Sequence, residues 1–135
     1  MDVFAVARAV RLLVVNASGI DPTQELRIDG MDFDPTGKKL WVAEYIIPGD
    51  TGRTTNFRVS NAGMIMEYDF HTPAGGNTRR IGEAAEAVCN ALSIGSRVEV
   101  ENCACFVERL RREISFTQEW NTIKLVITLN VSAEG

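Results

Sequence analysis

Glu67, Asp69 and His71 alternate with apolar neighbours. As a strand they would line one face about 7 Å apart, a spacing at which acid and base partners could cooperate. A row of charges on a solvent face has the same pattern. His71 is the single histidine of the chain, and no Ser/His/Asp arrangement or matched acid–base pair accompanies it. The chain is therefore expected not to be an enzyme.

Cys103 and Cys105 stand two apart and would share a strand face, where Cys89 or His71 could complete a zinc site. C-x-x-C spacing and a second ligand pair are both missing, so buried, inert thiols are the expectation. Asp32, Asp34, Thr36 and Gly37 match the first half of an EF-hand loop, but its twelfth position falls on Ala43, with Glu44 one place late. These aspartates are expected to shape turns through side-chain to backbone bonds. The run Gly49, Asp50, Thr51, Gly52, Arg53, Thr54 glances at a phosphate-binding loop, yet neither the required lysine nor a helix follows. No metal and no cofactor is expected.

The elements that position these groups belong to a chain of 135 residues, 45% hydrophobic and 24% charged. That fits one domain, 1–135, able to bury a core. A net charge of −4 gives no bulk attraction for nucleic acid, so no specific nucleic-acid binding is expected. Three cysteines cannot all pair within the chain, and Met1-Asp2 opens no basic secretory n-region. Both point to a reducing, cytoplasmic setting. The apolar run 3–15 carries Arg8 and Arg11 and falls short of the roughly 20 residues of a membrane span.

That run reads as a first helix, with Asp2 as N-cap and Gly19, Asp21 and Pro22 ending it. It is apolar nearly all round, so burial on more than one face is expected, with a neighbouring subunit supplying part of the cover. A polar connection, 16–38, follows. The first strand, 39–47, has Trp41, Ala43, Tyr45 and Ile47 on one face and Leu40, Val42 and Ile46 on the other, interrupted by Glu44; it is expected to be covered on both sides. In the second strand Met64, Met66, Tyr68 and Phe70 should pack, leaving Glu67, Asp69 and His71 wet.

Between these strands residues 48–62 show no period and far exceed the roughly 2–5 residues a hairpin needs. This loop is either a partner contact or a solvated excursion. After a turn at 73–76, a second helix over 78–94 places Ile81, Ala84 or Ala85, Val88 and Leu92 on one stripe, with Gly95 where a C-cap glycine belongs. Arg79 and Arg80 sit in its first turn, where the helix dipole disfavours cations. They are either solvated or face acidic groups on a partner. Three further strands are expected, from Val98, Val100 and Phe106, from Leu110, Ile114 and Phe116, and from Ile123, Leu125, Ile127, Leu129 and Val131. The fold class is α+β: a mainly antiparallel sheet of about five strands with two helices packed against it, in the order α-β-β-α-β-β-β.

Phe33, Asp34, Pro35, Thr36, Gly37, then Leu40, Trp41, Val42 and Ile47, Pro48, Gly49 form one recognisable run. Gly63, Met64, Ile65, Met66, Glu67, Tyr68, Asp69 and Phe70 form a second, leading through Pro73, Gly75 and Gly76 into an Ala-rich helix. Together they resemble the tail terminator and tail completion family of long-tailed bacteriophages, the minor tail proteins of siphophages or resident prophages. The resemblance implies a structural protein of the virion tail, assembled in the bacterial cytoplasm. It implies a homo-oligomer, a hexameric ring that caps the head-proximal end of the tail tube, stops its polymerisation and joins tail to head. The implied partners are the tail tube protein and the head–tail connector protein. The residues offered for these interfaces are Arg53, Thr54, Thr55, Asn56, Phe57 and Arg58 of the long loop, Arg79 and Arg80, and Phe4, Arg8 and Arg11 of the first helix. Another phage neck or tail assembly protein is the nearest alternative. A small cytoplasmic enzyme or metal-binding domain is the rival from a different class.

Overall fold

The computed structural model describes residues 3–51, 54–55, 58–59 and 62–133. Helix α1 spans Val3–Ser18. Its Val6, Ala7, Val10 and Val14 recur every three to four residues and form the buried stripe. Gly19, at φ +73°, closes it by donating its N–H to the Val15 carbonyl at 3.0 Å, a left-handed stop that a residue with a Cβ disfavours. The expectation of burial on several faces does not hold within one chain: Phe4 is 70% and Leu12 61% exposed. The protomer has one sheet surface to offer, and a helix lying on it can bury only one stripe.

The main sheet has six strands in the order β1 (Leu26–Ile28), β2 (Trp41–Thr51), β5 (Ala62–Pro73), β8 (Trp120–Ala133), β7 (Cys103–Phe116) and β6 (Arg97–Val100). All neighbours are antiparallel except β1 and β2. A two-stranded ladder, β3 (Thr54–Thr55) with β4 (Arg58–Val59), stands outside the sheet. The mainly antiparallel sheet roughly fits the expected count of about five, with β1 as the added strand. β1 falls in the stretch read as a polar connection, because three residues with only Leu26 buried carry no readable alternation. It is held from outside, by register with β2 and by the Val42 N–H bonded to the Glu25 carbonyl at 2.7 Å.

Helix α2 spans Arg79–Ala91, and both helices lie on the same face of the sheet. Ile81, Ala84, Ala85, Val88 and Leu92 point into the core, as the spacing predicts. Opposite them Met64, Met66, Tyr68 and Phe70 of β5 and Leu125, Ile127 and Leu129 of β8 are at most 2% exposed. The period-two pattern thus assigns the inward face of both central strands correctly. The strand containing Val98 and Val100 ends at once: Glu101 and Asn102, the latter at φ +63°, make a two-residue turn, and Val100 pairs with Cys103. Phe106 belongs to β7, not to the strand of Val98, because an Asn in the left-handed region supplies the hairpin.

Candidate interaction surfaces

β2 and β5 form a long hairpin. The region read as a structureless loop keeps strand pairing through Thr51 with Ala62, past an irregularity between Pro48 and Thr51, and resumes with Thr54 opposite Val59 and Thr55 opposite Arg58. Backbone pairing needs no side-chain alternation, so composition alone does not reveal it. Of the loop residues offered as an interface, Thr54, Thr55 and Arg58 lie on this outer ladder. Arg53, Asn56 and Phe57 lie outside the described residues.

The first-helix candidates separate. Phe4 and Arg8 are on the exposed side of α1. Arg11 turns to the sheet, where its Nε donates to both carboxylate oxygens of Glu44 at 2.9 and 3.1 Å and its terminal nitrogen reaches Oε1 at 2.6 Å. The Tyr68 hydroxyl donates to Glu44 Oε2 at 2.6 Å. Glu44 is 1% exposed, so this carboxylate is satisfied by a cation and a phenol at the heart of the helix–sheet interface. Burial, reinforced by the neighbouring carboxylate, holds the Tyr68 phenol well above its ordinary value. The Glu44 hydrogen bond raises Arg11. The signal was present in the sequence: one acid in an otherwise apolar strand and arginines in an otherwise apolar helix.

On α2, Arg79 pairs with Glu83 one turn on, at 2.9 Å and exposed. Arg80 reaches back 3.3 Å to the carbonyl of Ser18 at the end of α1, where a cation complements the orphan acceptors of a helix terminus. Between the start of α2 and the ends of β2 and β5 opens a cleft of about 490 Å³ lined by Glu25, Lys39, Leu40, Thr72, Asn77 and Arg80.

The face of the sheet away from the helices was expected to be wet at Glu67, Asp69 and His71, and there the structure differs. His71 stacks on Trp41 with centroids 4.1 Å apart, Phe33 stacks on the other side of that indole at 5.3 Å, and Trp120 meets it edge-on at 5.5 Å. Asp69 is only 9% exposed and its Oδ1 has no hydrogen-bond partner among the described residues. Burial, then the hydrogen bond and charge of Glu67, push its carboxyl up to about 7. Burial alone lowers His71 to about 4 and keeps the ring neutral, with Nδ1 2.9 Å from the Thr122 hydroxyl. A neutral imidazole beside a hydroxyl resembles half of a nucleophile–base pair. Here Trp41 and Trp120 pack on the imidazole, and Thr122 is 8% exposed.

Cys103 and Cys105 are buried in the core and Cys89 is half-buried; burial pushes the Cys105 thiol up to about 11. Among the described residues no group of three or more His, Cys, Asp or Glu could hold a metal ion. Asp34 does shape a turn, accepting the Thr36 N–H at 2.9 Å.

No protein-family model and no curated protein sequence matches the chain. Solved structures do. One, bearing no functional description, superposes with a TM-score of 0.78 at 13% identity, covering 100% of this chain and 99% of its own. Another is a chain from the virion of a native gene transfer agent particle, with a TM-score of 0.55 at 18% identity over 95% of this chain and 92% of that one. At these identities the likeness is one of fold.

Proposed function

We propose that this chain is a structural protein of a phage-type virion, and within that class a tail terminator: a ring-forming subunit that caps the head-proximal end of the tail tube, ends its polymerisation and joins tail to head. The observation that carries the reading is the end-to-end fold likeness to a chain of a gene transfer agent virion. The β3–β4 ladder, separate from the main sheet, and the exposed outer side of α1 offer two different patches, as contacts in a ring of identical subunits require. Phe4 and Arg8 belong to one flank and Thr54, Thr55 and Arg58 to the other. Arg53, Asn56 and Phe57, outside the described residues, are interface residues in this reading, and the exposed Arg79 faces the partners while Arg80 is held by the Ser18 carbonyl. The tail tube and the head–tail connector are those partners. The reading involves no catalysis; it is compatible with a histidine stacked on Trp41 and an Asp69 that is 9% exposed.

The test is mass in solution across a concentration series, by light scattering, with negative-stain images of any large species. The expected species is a closed ring of about six copies, the commonest way for a heterologous contact to end. A monomer at every concentration would remove self-assembly from the proposal. Stoichiometric zinc in the purified protein would instead favour a metal-binding domain.

A further inference from the structure

The six-stranded sheet has two incomplete edges, and they are complementary. β6 pairs only with Cys103–Phe106 of the fourteen-residue β7, so among the described residues the lower part of β7 has no strand on its outer side. β1 pairs only with Val42, Ala43 and Glu44 of the eleven-residue β2, so among the described residues the upper part of β2 is likewise without a strand on its outer side. A row of unpaired N–H and C=O groups at a sheet edge is a template for another strand.

The hydrogen bonds fix which groups point outward. Val107 bonds Ser96 and Gly95 through its own N–H and C=O, so its backbone faces away from β8. The irregularity between Val107 and Arg109 shifts the alternation by one, and from there Leu110, Arg112, Ile114 and Phe116 present the outward groups. On β2 the Val42 N–H faces β1, so Ile46 and Pro48 point outward in turn, and past the irregularity between Pro48 and Thr51 the alternation shifts by one, to Thr51. Pro48 has no N–H to lose, and an outward position on an edge is where a strand tolerates proline. Ile114 and Phe116, 60% and 70% exposed, flank one edge, and Ile47, 48% exposed, flanks the other. Residues 108–116 carry three arginines and two glutamates, while 45–51 carry one aspartate, so the two edges have opposite net charge.

We propose that the open edge of β7 is occupied by the open edge of β2 from a second copy of this chain, so that the sheets of neighbouring subunits join. This rests on the ring reading and names the contact that would close it. Along the sheet the long strands alternate in direction, β2, β5, β8, β7, and a following β2 continues that antiparallel order. A rotation about an axis inclined to the strands preserves their order and offsets neighbouring sheets along the strands, as strand tilt does in any closed sheet, so each subunit donates one edge and receives the other. Such a contact is heterologous and ends only by closing into a ring.

The experiment is Ile114→Pro in the full chain, with Ile114→Ala as control. The proline removes an outward N–H and fills the edge with its ring, while leaving the bonds to β8 intact. The expected result is a wild-type oligomer, an alanine variant that still assembles, and a proline variant reduced to the 14.9 kDa protomer with an unchanged circular dichroism spectrum. A proline variant that assembles like wild type overturns the edge contact and leaves the ring reading standing. A wild type that never leaves the protomer mass overturns both. Should the proline variant fail to fold, amide exchange on the wild-type oligomer decides. Protection at Arg112, Ile114 and Ile46 that is lost on dilution to protomer supports the contact, and fast exchange there in the oligomer overturns it.

Discussion

Replacing Arg11 by alanine separates a structural role from an interface role. The substitution leaves Glu44, 1% exposed, with the Tyr68 hydroxyl as its remaining side-chain partner. Stranding a buried carboxylate costs about 3–5 kcal/mol. The Arg11 side chain is 25% exposed, so water can follow it in part and the expected loss sits at the lower end, about 3 kcal/mol. Against a typical total of roughly 5–15 kcal/mol that is a large share. With an unfolding entropy near 2.1 cal/mol/K per residue, it lowers the melting temperature of a chain this size by about 10 °C.

The assay is urea denaturation at fixed protomer concentration, because assembly would otherwise contribute to apparent stability. Adding Glu44→Gln to Arg11→Ala removes the stranded charge, so the double variant should be more stable than Arg11→Ala alone by about 1–3 kcal/mol. A surface arginine serving only a partner would give an Arg11→Ala protein within about 0.5 kcal/mol of wild type. That result, or simple additivity with Glu44→Gln, would refute the assignment of Arg11 to the fold.

The buried acid of the outer face predicts a pH dependence. Asp69 rises from 3.8 unfolded to about 7 folded, so the native state prefers its proton: the associated stability is present below about pH 4 and is lost as pH climbs through 7. Asp69→Asn keeps a donor for Glu67 and should gain stability at pH 8, up to about 4 kcal/mol, with the difference vanishing near pH 4; an equal effect at both pH values would contradict the burial argument. His71 runs the other way, its stability present above pH 6.5 and lost as pH falls through about 4. In the folded protein Cys105 should resist alkylation at pH 8 while the half-buried Cys89 reacts first, as peptide mapping would show. Gly76→Ala places a Cβ 2.8 Å from the Pro73 carbonyl oxygen and should cost about 1–3 kcal/mol, whereas Gly82→Ala, with open space around it in α2, should gain about 0.5–1 kcal/mol in the same denaturation assay.

What the sequence disclosed, and what it hid, follows from the range of the interactions involved. The inward faces of β5, β8 and α2 were readable because each is set by periodicity within one element. β1 was not, because its three residues become a strand only through β2. The turn at Glu101 and Asn102 was missed because a left-handed Asn leaves alternation on both sides nearly intact, so two strands read as one. The outer face went wrong for a related reason. Asp69 and His71 alternate as solvent-facing residues do, but the fold brings Phe33, from the preceding connection, onto Trp41, and Trp41 and Trp120, from the start of β8, onto His71.

The interface candidates divide along the same line. Arg11 and Arg80 both looked like charges awaiting a partner, and both find one inside the chain, at Glu44 and at the Ser18 carbonyl. A charge in an apolar helix is costly unless paired, so its partner is more readily sought among lone opposite charges in other apolar elements than on another molecule. What remains for assembly is backbone more than side chain. Both helices cover one sheet face, β1 and β6 each stop short, and the two unpaired stretches lie at opposite ends of opposite edges. A monomer would be expected to blunt such edges along their length. Here Pro48 interrupts one of them and leaves Ile46 before it and Thr51 after it able to pair, which limits the contact to a short segment and disfavours indefinite sheet growth.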